Sequence, residues 1–277
     1  MDNEINRRNF LGVMPAALGV AASALRGNDA SLARVAGTAR AGAKPTAAAA
    51  VTTRLEPFDY DGVTLLPSRW QREYEGARNF YLSISDDDIL HGFRAEAGLP
   101  APGKVLGGWA QHDTGALFGQ WISGMARGYR ATGDTALRDK AMGLVSEWVK
   151  TIKPDGDARM RHYVFDKLVC GLVDLDLYAG ETSTVRPILE RVTDAANRTL
   201  QRPAPNFEPT SYGAPSEWYT LSENLYRAYL LTGEPRFKDF AEVWHYPQYW
   251  NRFATTASPD NGHGVHAYSH VNTFSSA

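Results

Sequence analysis

A tyrosine followed by a glycine-acid step recurs about every fifty residues, at Tyr129 to Asp134, Tyr178 to Glu181 and Tyr229 to Glu234. Each step stands between two stretches whose apolar residues fall at helical spacing. A glycine after the last periodic residue closes a helix through its left-handed backbone, and the acid that follows complements the start of the next one. The pattern therefore predicts paired helices that bury their apolar faces only by stacking on neighbouring pairs. Helices are expected over approximately 67–83, then a short one opened by Asp86-Asp87-Asp88, then 116–131, 135–152, 162–178, 184–200, 216–231 and 235–250. Strand patterns are almost absent, so the expected fold class is all-α. The three aspartates read as a helix cap and not as a metal cluster, because carboxylates adjacent in sequence rarely converge.

The N-terminus has a different character. Asn6-Arg7-Arg8-Asn9-Phe10-Leu11 precedes an uncharged stretch, Gly12 to Leu25, that contains the small-residue site Ala22-Ser23-Ala24. This order of charged, apolar and small regions is that of a twin-arginine export signal. The apolar part is too short and too rich in Ala and Gly to make a stable membrane anchor. Residues 1–25 are thus expected to be a signal peptide read by the twin-arginine export machinery, residues 26–52 an Ala/Gly-rich linker, and residues 53–277 the folded domain, delivered to the periplasm or outside the cell. Cys170 is the single cysteine and makes no internal disulfide.

Charge narrows the partner. The net charge is −2, with 29 basic residues interleaved among 31 acidic ones, so nothing resembles the basic stripe that nucleic acid requires. Aromatic residues cluster with polar ones in Glu217-Trp218-Tyr219 and in His245 to Trp250, a mixture that suits sugar rings and equally suits a core.

In an array of helix pairs the loops before the inner helices gather at one end. The segments at that position are Gln111 to Thr114, Arg161 to Lys167, Ser216 to Tyr219 and His263 to His270, all polar or aromatic for helix starts. They nominate His112, Asp113, His162, Lys167, Glu217, Trp218, Tyr219, His266 and His270 as substrate-binding residues. Asp113 and Glu217 are carboxylates of the kind a glycosidase needs, although an acid at a helix start also serves as a cap. His263, His266 and His270 have a spacing that fits a divalent metal, and fits hydroxyl recognition beside Tyr268 and Asn272 equally well. Cys170, between Val169 and Gly171, reads as a small buried hydrophobe and not as a nucleophile.

Five segments carry a resemblance in order along 58–277: Leu66-Pro67-Ser68; Leu82-Ser83; Leu90-His91-Gly92-Phe93-Arg94-Ala95-Glu96-Ala97-Gly98-Leu99-Pro100; Asp166 to Leu175; and His266-Ala267-Tyr268-Ser269-His270-Val271-Asn272. Together they resemble glycoside hydrolase family 127, the beta-L-arabinofuranosidase-like family. The resemblance implies an (α/α)6 toroid acting on arabinofuranosides or related plant and microbial glycans, with His266 near the sugar. It also implies a cysteine nucleophile, a glutamic acid as acid/base and a zinc held by cysteines and a glutamate, all in motifs downstream of the matched stretch. The expectation is accordingly the N-terminal part of such a toroid, incomplete in this chain, without a cofactor of its own, zinc belonging to a full-length relative. Two other readings stay open: a non-catalytic periplasmic glycan-binding protein, and another (α/α)6 enzyme such as a polysaccharide lyase or sugar epimerase.

Overall fold

The computed structural model describes residues 59–60, 63–202, 214–247, 250–251, 271–272 and 274–275, all within the unit Ala49–Ala277. The expected signal peptide and linker, residues 1–52, lie outside the described residues, as do His263, His266 and His270. Among the described residues every regular element is helical: α1 (Arg69–Ser83), α2 (Asp86–Glu96), α3 (Trp109–His112), α4 (Phe118–Thr132), α5 (Thr135–Trp148), α6 (His162–Ala179), α7 (Thr182–Thr199), α8 (Leu221–Thr232) and α9 (Pro235–Glu242). None of them is long and apolar enough to cross a membrane.

The repeated step is the hinge of each pair. Gly133, Gly180 and Gly233 adopt φ of 71°, 73° and 76°, and their amides return to the carbonyls of Tyr129, Asp176 and Tyr229. A side chain there would carry the left-handed strain that glycine avoids. In the first and third steps the threonine ties the corner as well. Thr132 Oγ1 donates to Gly128 O at 2.7 Å and accepts from the Asp134 amide at 3.3 Å. Thr232 Oγ1 does the same with Ala228 O at 2.8 Å and the Glu234 amide at 3.1 Å.

The pairs α4–α5, α6–α7 and α8–α9 stack so that α4, α6 and α8 lie side by side, with α5, α7 and α9 packed behind them. Between its two inner neighbours α6 buries 14 of its 18 residues, which makes it the central strut. The contact of α4 with α6 is backbone against backbone. A Cβ added at Gly119 would stand 2.0 Å from the Lys167 carbonyl oxygen, and one at Gly171 would stand 2.5 Å from the Gly119 oxygen. Leu144, Trp148, Leu168, Leu172, Leu189, Leu225, Phe237 and Phe240 fill the space between the two rows.

The differences from expectation are local. The helix expected over 235–250 stops at Glu242 and helical structure resumes at Pro247, because proline disfavours helical backbone before it and accepts the first helical position itself. The stretch expected to begin a helix at 216 is a 3-10 run, Ala214–Thr220, that leads into α8. The three aspartates do occupy the first turn of α2, and each has a different partner as well, two of them beyond the helix. Asp86 pairs with Lys140, Asp87 takes Arg94 at 2.6 Å, and Asp88 accepts from the Lys104 amide at 2.9 Å.

Candidate functional site

Lys167 organises the end of the molecule where α4, α6 and α8 begin. It sits in the first two turns of α6, is 5% exposed, and its ammonium donates to Ala116 O at 2.9 Å. Burying a cation is costly unless something replaces its water, and here two aromatic faces do so, Tyr163 at 4.3 Å and Trp109 at 5.6 Å. Burial lowers the Lys167 pKa, while the fields of Glu217, Asp113 and Asp166 act to raise it. The close approach at Gly119 fixes the Lys167 carbonyl against the start of α4 and so sets the height of the whole cluster.

The acids around it are held individually. Asp113 takes Arg161 Nε at 2.7 Å on one oxygen and the Gly115 amide at 3.2 Å on the other. Glu217 has φ of +53°, a conformation that side-chain-bearing residues adopt at a cost and that concentrates at functional positions. Its carbonyl accepts from Thr220 Oγ1 at 3.1 Å. Asp166 is buried and accepts from Asn224 Nδ2 at 2.9 Å. Burial, reinforced by the charge of Glu223, pushes its carboxyl up to about 7.

The structure thus gathers three of the nominated residues, Asp113, Lys167 and Glu217, around one ammonium group. It adds Trp109, Tyr163, Arg161 and Asp166, which were not among the nominated residues. The rings that flank Lys167 come one from a loop helix and one from a position four residues earlier on α6. The other nominated residues stand elsewhere. His112 is exposed at the end of α3. His162 is turned into the core, where Nε2 donates to Gln201 O at 2.7 Å and the ring meets Trp244 edge-on at 5.2 Å; burial lowers its pKa. Trp218 and Tyr219 are 5% and 1% exposed and pack on each other and on Tyr246, so their faces are spent on the core. His266 and His270 lie outside the described residues.

A second polar cluster occupies the same inner helices nearer their C-terminal ends. Asp174, fully buried, accepts from Ser123 Oγ at 2.6 Å and Arg127 Nε at 2.7 Å, and from Arg227. Cys170 faces this cluster and not an apolar core, with Arg227 Nη1 3.6 Å from its sulfur. Burial and the charge of Asp174 push the thiol up to about 11, so it is protonated at neutral pH and is no ready nucleophile.

Comparison with known proteins gives the chemistry a context. Residues 62–156, about a third of the chain, match the sequence profile described as beta-L-arabinofuranosidase, GH127 catalytic domain. No curated protein matches. Nine solved chains do, among them the crystal structure of a GH127 beta-L-arabinofuranosidase from Geobacillus stearothermophilus T6, at 16% identity and a TM-score of 0.46, over 74% of this chain and 36% of that one. The chain therefore spans about a third of the length of that solved protein. The matched stretch contains α1 to α5 with Trp109 and Asp113, and residues 62–156 carry the sequence signature of the glycoside hydrolase family 127 catalytic domain.

Proposed function

We propose that this protein is an exported, glycoside hydrolase-like protein of beta-L-arabinofuranosidase type, acting on plant or microbial glycans, and that the Lys167 cluster binds the sugar. The observation that carries the reading is the grouping of an exposed Trp109 ring with Tyr163, Lys167 and the Asp113–Arg161 pair at the start of the inner helices, together with the family match that spans Trp109 and Asp113. A sugar ring stacks its C–H face on indole and offers hydroxyls that both donate and accept. Lys167 and Arg161 supply donors, Asp113 and Glu217 acceptors. Among the described residues these are binding groups. Export follows from Arg7-Arg8 and the apolar segment after them, and cell fractionation showing only unprocessed cytoplasmic protein would remove that part.

The binding reading is tested by titrating the protein with methyl beta-L-arabinofuranoside and neutral arabino-oligosaccharides, followed by tryptophan fluorescence and calorimetry. Trp109→Ala is expected to lose roughly tenfold in affinity, about 1.4 kcal/mol. A folded protein that binds none of these sugars, or a Trp109→Ala variant that binds as well as the parent, refutes it. A second reading, a glycan-binding protein without hydrolytic activity, is favoured by the fact that the gathered groups are ligand-holding ones. It predicts the same binding with no release of reducing sugar.

A further inference from the structure

Beyond the Lys167 cluster, against the second halves of α4 and α6 and the first half of α8, lies a cavity of about 560 Å³, within the roughly 300–1,000 Å³ typical of small-molecule sites. Tyr60, Arg127, Tyr178, Glu223, Asn224 and Arg227 form most of its wall. Its construction starts from the buried Asp174 behind that wall. By accepting from both Arg127 and Arg227 this carboxylate fixes two guanidinium groups side by side, yet leaves their side chains 36% and 26% exposed. Arg127 is further seated against the rings of Tyr60 and Tyr178, at 5.7 and 5.6 Å, and donates to the Tyr60 hydroxyl at 2.7 Å. Asn224, 7% exposed, bridges from Asp166 to Arg227, donating at 2.9 Å and accepting at 2.9 Å. Long side chains that ordinarily lose much freedom on meeting a ligand are here immobilised in advance by the fold.

The lining also selects the class of ligand. Arg127 and Arg227 are balanced in formal charge by Asp174 and Glu223, and Asp59 on the same wall by Arg130 at 2.6 Å, so a fixed anion would meet Glu223 and Asp59 and a fixed cation would meet two guanidinium groups. Donors and acceptors alternate around the wall, and tyrosine rings stand beside them. A neutral ring bearing several hydroxyls, each able to donate and accept, satisfies such a surface. We infer that this cavity is a second saccharide site, taking a neutral sugar unit independently of the Lys167 cluster. The inference goes beyond the function proposed above and fails or stands separately from it.

The single cysteine makes the test local, because Cys170 lines this same cavity. The full chain is labelled with methyl methanethiosulfonate at about pH 9, where a fraction of the thiol is ionised, and the rate of modification at Cys170 is followed by mass spectrometry with increasing arabinose, xylose, galactose and their neutral oligomers. At about ten times its dissociation constant a bound sugar is expected to slow labelling about tenfold, equally in the parent and in Trp109→Ala, and less in Glu223→Gln, where an acceptor is lost. Unchanged labelling at saturating concentrations of every neutral sugar overturns the inference. So does protection that disappears in Trp109→Ala, which would place the ligand at the Lys167 cluster, or stronger protection by glucuronate than by neutral sugars. Binding at the Lys167 cluster itself is read from tryptophan fluorescence, so each site can fail alone.

Discussion

The two ends of the inner helices bury opposite charges in opposite ways. At the start of α6 a lone cation, Lys167, is kept by a carbonyl oxygen and two aromatic faces, and burial lowers its pKa. Two turns along the same helix a lone anion, Asp174, is kept by two guanidinium groups and a hydroxyl. Burial works against the charge on Arg127 and on Arg227, but bonding to Asp174 outweighs it and holds both above their ordinary values. A carboxylate with charged hydrogen-bonding partners is locked, whereas an ammonium group sheltered mostly by rings keeps donors for something else. One arrangement fixes two arginines in place, and the other leaves an ammonium group with a single carbonyl acceptor between two rings.

Removing the lock is the most severe way to break that contrast. Asp174→Asn keeps the shape but leaves two adjacent guanidinium groups without their shared anion, and is expected to cost about 3–5 kcal/mol in urea unfolding. Loss below about 1 kcal/mol would mean the cluster behaves as a surface pair. Gly119→Ala acts at the other end. The new methyl group collides with the Lys167 carbonyl, which belongs to backbone and cannot rotate away, so a cost of about 1–3 kcal/mol is expected, together with weakened sugar binding at Lys167. A stable variant with unchanged binding would show that the α4–α6 approach does not set the cluster.

The third test sharpens the contrast by pH. Asp166, next to Lys167 on α6, has its carboxyl raised from an ordinary 3.8 to about 7 by burial. The native state therefore binds this proton more tightly than the unfolded chain does, and its contribution to stability is present below pH 3.8 and lost as pH rises through about 7. Asp166→Asn removes the titration while keeping an acceptor for Asn224. It is expected to gain on the order of 1 kcal/mol at about pH 8 and almost nothing at about pH 4. Equal effects at both values would assign the burden to packing.

Local chemistry was legible in the sequence wherever the chain signals to itself. The glycine-acid steps placed three helix ends to within one residue, and the helix start expected at Pro67 moves by two residues, while the helix expected over 135–152 closes at Trp148. The grouping of the candidate site was half legible. Asp113, Lys167 and Glu217 stand together because helix starts converge in an array of pairs. His162 stands apart from them because one residue on a helix turns the side chain by about 100°, and neighbours in sequence such as His162 and Tyr163 end on different faces. The Asp174 cluster gave no signal at all. Its partners lie 51, 47 and 53 residues away, and only the stacking of three pairs brings them together.

The corners of the pairs also bear on how the chain assembles. Each of α4–α5, α6–α7 and α8–α9 turns back through two residues, so the packing within each pair can form between segments close along the chain, at little loop-closure cost. The glycine crossing of α4 on α6 is different, since Gly119 and Gly171 must meet from far apart with no side chain to guide them. Hairpins should therefore collapse early and singly, and the rate of reaching the native state should be governed by the moment at which two smooth backbones find one register.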